Sequence, residues 1–255
     1  MKEDRDFVTA LARGIQVLRC FTAERPELGT TQIAALVGLP QSTVWRLCHT
    51  LTKIGLLVPG REPDKVRAGP GVLTLGYASV ASAGLAEHAY RPMKDIADQF
   101  GVAVSLAAPT GTDMVVVQRA EAPTILRLAL HVGSSLAMAS SALGWAYLAG
   151  LEATGRSRTD AMLRKALGTA WPEAEKGIAG ARKHYAEHGY VLNLRHYHPD
   201  VNAIGVPVVS SSRRVVMALN SGGAVSVATV EKLRGPIADA LKDLASRLSG
   251  MLPQD

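Results

Sequence analysis

The stretch GTTQIAALVGLPQSTVWRLCHTLTKIGLLV, residues 29–58, decides how the rest of the chain is read. Over residues 41–54 the apolar side chains Val44, Leu47, Cys48, Leu51 and Ile54 recur at the i, i+3, i+4, i+7 spacing of a helix with one buried stripe. The opposite face carries Ser42, Thr43, Trp45, Arg46, His49 and Lys53, a set of hydroxyl, guanidinium, imidazole and ammonium donors suited to phosphates and base edges. A shorter helix is predicted over residues 31–37, and Gly38-Leu39-Pro40 breaks it. The glycine takes a left-handed conformation there and the proline fits a first helical turn.

A polar helix face is by itself more often a solvated surface than a binding surface. The turn changes that balance. A short helix with small residues (Ala34, Ala35), a Gly-centred turn and a second helix opening on Ser-Thr, with Arg one turn later, form a unit whose second helix enters the major groove of DNA. After Gly55, residues 56–58 and 66–68 are predicted to pair as a hairpin around the polar turn 59–65. Arg61, Lys65 and Arg67 would there meet backbone phosphate, which makes a winged helix-turn-helix.

The 255 residues exceed the length at which one core usually keeps growing, so two domains are expected. A hydrophobic content of 47% argues for a folded chain. No apolar run is long enough to cross a bilayer and residues 1–10 are charged rather than signal-like, so a cytoplasmic protein with no membrane partner is expected. Cys20 and Cys48 fall on predicted core faces, as small apolar side chains, and no disulfide is expected. Lys and Arg number 28 against 22 Asp and Glu, a net charge of +6, which favours approach to a polyanion without proving it.

Working outward, residues 6–23 predict a first helix with Leu11, Ile15, Leu18 and Phe21 at helical spacing, closed by Pro26 and Gly29. Such a leading helix often carries dimer contacts, an inference by fold alone. The small-residue stretch 71–89 predicts a linker helix. A helix over residues 90–100, with Pro92 in its first turn, opens the second domain. Strands are predicted over 102–108 and 114–120 around the turn 109–112, then over 124–130, with a loop over 131–139 and a buried helix over 140–151. Helices over 159–167 and 173–187, strands over 190–194, 203–209 and 215–220, and a closing helix over 227–248 complete an α+β domain with a largely antiparallel sheet.

These residues resemble the IclR-type transcriptional regulators of bacteria over nearly the whole chain. The family pattern GLP-x-ST-x-x-RL-x-x-TL-x-x-x-G is met by Gly38-Leu39-Pro40, Ser42-Thr43, Arg46-Leu47, Thr50-Leu51 and Gly55. Looser matches are Val132-Gly133 followed by 142–149, and Gly189-Tyr190 followed by 201–208. The resemblance implies a winged helix-turn-helix over 1–70, a linker helix over 71–89, and over 90–255 a GAF-like domain that binds a small effector, an organic acid or aromatic catabolite. It implies dimers, often paired into tetramers, on palindromic double-stranded operators, and no cofactor. Ser42, Thr43, Arg46 and His49 would contact the operator, Gln41 and Trp45 would assist, and Arg67 would hold phosphate. Carried over position by position, the effector would meet Asn193, Ser221 and the N–H groups of Ala142 and Leu143, between apolar walls from Ile125, Leu128, Leu136, Met138 and Val201; His196 and His198, if they enter the pocket, would donate to a carboxylate. The sequence departs from the family where Asn193 stands for a frequent aspartate, Ala203 for a cysteine and Trp145 for a lysine.

Three other patterns in the sequence point elsewhere. The segment GPGVLTLG lacks the third glycine of a dinucleotide loop at the right place, and no buried strand precedes it. His184 and His188 share a helix face, but zinc needs three or four converging ligands, and a solvated face is the simpler expectation. A metabolite-processing enzyme with an accessory DNA-binding domain is the rival class; HExxH, GxSxG and a phosphate-loop lysine are missing, and binding rather than turnover is expected.

Overall fold

In the computed structural model the described residues are 6–22, 24–81, 85–123, 130–212 and 216–252, and the chain divides into two compact units between Ser82 and Ala83. The first unit holds helices α1 (Thr9–Leu18), α2 (Thr30–Val37), α3 (Gln41–Lys53) and α4 (Gly71–Ala81), with strands β1 (Glu27–Gly29), β2 (Leu57–Pro59) and β3 (Lys65–Ala68) in the order β1-β3-β2. The predicted hairpin is present, with Leu57 opposite Ala68 and Pro59 opposite Val66. Strand β1 was missed, because three residues beside a proline carry too little alternation to read.

Val17, Ile33, Val44, Cys48, Leu51 and Leu57 form the core of this unit. Each aliphatic side chain buried there contributes about 1.5–3 kcal/mol relative to exposure. Both thiols are buried, and burial, reinforced by Cys20, pushes Cys48 up to about 11. Two details of the predicted stripes are corrected. Ile54 lies beyond the end of α3, as its cap, and is exposed. Helix α1 is shorter than predicted and buries Val17, leaving Phe7, Val8, Leu11 and Ile15 exposed.

The second unit is α+β. Helix α5 (Leu85–Phe100) begins before the predicted residue 90, so Pro92 lies inside it. The strands β4 (Ala103–Thr110), β5 (Asp113–Glu121), β6 (Ser135–Ala137), β7 (Val191–Leu194), β8 (Val201–Val209) and β9 (Val216–Ala224) form one antiparallel sheet in the order β6-β5-β4-β9-β8-β7. Strand β6 occupies part of the segment 131–139 predicted as a loop, and the strand predicted over 124–130 falls on residues of which 124–129 lie outside those described.

The sheet is covered on both faces. Helix α5 and α10 (Pro236–Ser249) pack on one, against Val104, Leu106, Ile204, Val206 and Leu219. Helix α6 (Ala142–Gly150), backed by α8 (Trp171–His188), packs on the other. The predicted closing helix is broken at Gly235-Pro236 into α9 (Val230–Arg234) and α10, since proline removes an amide donor and restricts the residue before it. Helix α7 (Ala153–Leu167) is tied to α8 by a bidentate ion pair, Arg182 to Asp160, with both contacts at 2.9 Å. Helix α6 lies almost on the sheet: a Cβ at Gly205 would come 2.5 Å from the Ala142 carbonyl oxygen, so only glycine fits there.

Candidate functional site

The turn between α2 and α3 is built as the sequence requires. Gly38 is left-handed (φ 66°, ψ 33°) and its N–H reaches the Ala34 carbonyl at 2.9 Å. Pro40 is the residue before the helix rather than inside its first turn, and its carbonyl accepts from Val44. Gln41 Nε2 donates to the Thr31 hydroxyl at 2.9 Å, which locks the start of α3 to the start of α2. Gln41 is therefore a structural clamp, whatever else it touches.

Around α3, Val44, Cys48 and Leu51 point inward, while Gln41, Ser42, Trp45, Arg46 and His49 are exposed and Thr43 is half-buried. The Trp45 indole is 57% exposed, and the His49 ring lies nearly parallel to it, 5.3 Å away. An exposed aromatic stacked on an imidazole is an amphipathic platform, not core packing. The Arg46 guanidinium engages no other side chain among the described residues. In the wing, Arg67 is exposed, whereas Arg61 and Lys65 face Glu27 and Glu62. Such surface pairs are weak, about 0–1 kcal/mol, and give way to a stronger anion. From Gly29 through Arg61 the sequence contains no carboxylate, so the α3 face carries no negative charge. That acid-free run is a signal that periodicity alone does not weigh.

The second unit contains a cavity of about 30 Å³ between the sheet and the start of α6, more than the roughly 10–15 Å³ that one water occupies on this scale. Leu136, Ala142, Asn193 and Val201, four of the predicted effector residues, line it. Ser141 caps α6 by accepting from the Gly144 N–H, so the positive end of the helix faces this region. The Asn193 amide already spans the cavity edge: Nδ2 donates to the Ser140 carbonyl at 2.8 Å and Oδ1 accepts the Tyr197 N–H at 2.9 Å.

Other predicted effector residues are elsewhere. Ser221 faces the α5 and α10 side of the sheet, paired in register with Val104 and Ile204, because strand side chains alternate and its neighbours Asn220 and Gly222 take the cavity side. Met138 is packed into the core around α6, and so is the Leu143 side chain, while the Leu143 N–H named in the expectation lies in the first turn of α6 beside Ala142. His196 and His198 are exposed; the His196 ring rests on Trp145 at 4.9 Å, and His198 Nδ1 accepts from the Asp200 N–H. Ile125 and Leu128 lie outside the described residues. Trp145, standing where the family has lysine, is buried, donates to the Ala139 carbonyl at 2.8 Å, and occupies space left by Gly177, whose Cβ would come 2.9 Å from it.

Arg119 was missed. It lines the cavity with its side chain only 6% exposed, Nη1 donating to the Ser105 hydroxyl at 2.8 Å. Burial lowers its pKa, and Glu121, 3.5 Å from Nη2, acts in the opposite direction. Elsewhere, His184, Glu187 and His188 place one ligand atom each within 4.8 Å of one another. Here the expected solvated face is only partly so: His184 is half-buried edge-on against Tyr190, and its Nε2 is buried without a partner among the described residues.

Comparison with known proteins follows the same division. The model of the IclR helix-turn-helix domain matches residues 10–60, and that of the bacterial transcriptional regulator IclR C-terminal domain matches residues 77–250. A solved IclR family transcriptional regulator from Brucella abortus is 34% identical, with 99% of this chain and 95% of that one covered at a TM-score of 0.84. The regulator TsaQ1/TsaQ2 of Comamonas testosteroni is 29% identical over 93% of this chain and 86% of its own length. An IclR homologue from Microbacterium hydrocarbonoxydans, solved in complex with 4-hydroxybenzoate, shares the fold at 21% identity and a TM-score of 0.72, covering 95% of this chain and 98% of that one. The chain belongs to the IclR family of bacterial transcriptional regulators. Its relatives are regulators rather than enzymes, and the enzyme reading is set aside on that ground. Among the described residues no helix is long and apolar enough to cross a membrane.

Proposed function

We propose that the protein binds double-stranded operator DNA through the outward face of α3, and that a small effector in the cavity of the second unit modulates that binding. The observation that carries the first half is the exposed, acid-free face of α3 bearing Ser42, Thr43, Trp45, Arg46 and His49 behind a left-handed glycine turn. Gln41 positions the helix and Arg67 in the wing holds phosphate. Residues 1–70 are assigned to DNA binding and the second unit to the effector; the linking helix expected over 71–89 is instead α4 (Gly71–Ala81), because α5 of the second unit already begins at Leu85. The protein works in the cytoplasm, where its DNA is.

The second half rests on a cavity with few polar groups and mostly apolar or small walls, as small-molecule sites have. Leu136, Ala142, Asn193 and Val201 belong to that site. The family includes a protein solved with 4-hydroxybenzoate, which fits an organic acid or aromatic compound as the effector class. The exposed apolar residues Phe7, Val8, Leu11 and Ile15 on and before α1 fit a homodimer, with tetramers formed by pairing. A two-fold dimer requires half-sites about one or more DNA turns apart.

Selection from a pool of random duplexes by the full-length protein tests this reading. It predicts enrichment of an inverted repeat and a shift of its affinity by at least one of a set of small acids. Failure to enrich any sequence contradicts the first half, and operator affinity indifferent to every compound that the protein binds contradicts the second.

A further inference from the structure

Three neighbouring strands place a row of polar groups on the cavity side of the sheet. Arg119 on β5 stands opposite Ser105 on β4, and Ser105 stands opposite Asn220 on β9. With strands about 4.8 Å apart, the outer two positions are separated by roughly 10 Å, the span of a small molecule.

The row is unfinished as hydrogen-bonding chemistry. A guanidinium offers five N–H donors. Arg119 uses Nη1 on Ser105 and holds Glu121 only at 3.5 Å, while its Nε is buried with no partner among the described residues. The Asn220 Oδ1 is also buried and without a partner there. Buried donors and acceptors are nearly always satisfied, and two unmet groups lining one cavity point to an occupant there. No residue lining the cavity is acidic, and Ser141-capped α6 adds its positive end. The surroundings therefore favour an anion over a neutral or cationic guest.

We propose that Arg119 and Asn220 select the effector: a small carboxylic acid whose carboxylate pairs with the Arg119 guanidinium and whose hydroxyl or amino group donates to Asn220 Oδ1. The inference rests on the cavity being the effector site. A planar fork matched to a carboxylate binds it in one orientation, so the Arg119 end fixes the acid group and the Asn220 end tests what the molecule carries beyond it.

The test is thermal denaturation of the full-length protein with sodium glycolate, lactate, benzoate and 4-hydroxybenzoate, each set against its primary amide at matched sodium chloride. At least one acid should raise Tm by roughly 3 °C or more at saturation, with its amide ineffective. By calorimetry R119Q should weaken that acid about 30-fold or more, R119K less, and N220A, which removes the acceptor, should weaken the hydroxy acids while leaving benzoate unchanged. R119K and N220A carry the test if R119Q does not fold. An amide that stabilises as well as its acid, an acid bound equally by R119Q, or no acid bound at all overturns the proposal. An amide bound by wild type and R119Q but lost when A203L fills the cavity leaves the effector site standing and removes only its acid selectivity. No binding by any compound counts against both.

Discussion

Asn193 holds Ser140 across the mouth of the cavity: its Nδ2 meets the Ser140 carbonyl at 2.8 Å, joining residues 53 positions apart. The same amide accepts from Tyr197 at 2.9 Å, so one side chain fixes both the turn before α6 and the loop after β7. Replacing Asn193 with Ala strands a carbonyl and an N–H, and a loss of about 2 kcal/mol is predicted in urea denaturation. An unchanged unfolding midpoint would show that the clamp is not formed.

Ser221 gives the opposite expectation. It is fully buried on the α5 and α10 side of the sheet, and its hydroxyl has no partner among the described residues. Ser221→Ala removes a desolvated polar group at small volume cost, so thermal stability should stay level or rise by up to about 1 kcal/mol. Effector binding should be untouched. A lost effector response in calorimetry would put Ser221 in the site after all.

Two glycines separate packing from propensity. A Cβ at Gly205 would meet the Ala142 carbonyl oxygen at 2.5 Å and Ala146 Cβ at 3.0 Å. Gly205→Ala should therefore cost about 1–3 kcal/mol by forcing α6 off the sheet. At Gly180, within α8, a Cβ meets nothing within 4 Å. Gly180→Ala should stabilise by about 0.5–1 kcal/mol. Calorimetric melting of the two variants gives the signs directly, and the same sign for both contradicts the packing described.

His184 makes stability depend on pH. Burial lowers its pKa, helped by the positive charges of His188 and Arg234, with Glu187 acting in the opposite direction. The unfolded histidine protonates near pH 6.5, about its unperturbed value, and the folded one only at lower pH. The unfolded state then binds more protons, so stability is lost as pH falls below about 6.5 and is complete above it. His184→Gln should show a flatter Tm profile between pH 5 and 7 than wild type. Parallel profiles would mean that His184 protonates freely in the folded protein.

The first unit was legible because its signals are local: a glycine that must be left-handed, an inward stripe of Val44, Cys48 and Leu51, and a hairpin bounded by Gly55. The cavity of the second unit was legible only in part, since strand register decides which side chains meet, and register is not local. Ser221 was placed one residue out of phase with Asn220. Arg119 was hidden by a bulge. Leu106 pairs with Gln118 but Ala107 with Val116, so β5 carries an extra residue at Val117. Val116 and Arg119 therefore share the cavity face, three positions apart, where strict alternation would put them on opposite faces. Buried Trp145 was read as a departure from the family, but the space that Gly177 leaves for it appears only in three dimensions.

The exposed face of α3 is expected to lie in the DNA, and fluorescence anisotropy on a duplex enriched by the wild-type protein tests this most directly. At fixed salt, Arg46→Ala should weaken binding by about 1–3 kcal/mol if the guanidinium reads a base. The exposed Lys176, on α8 of the other unit, serves as a control whose replacement by Ala leaves affinity unchanged. Equal affinities for wild type and Arg46→Ala would contradict the account.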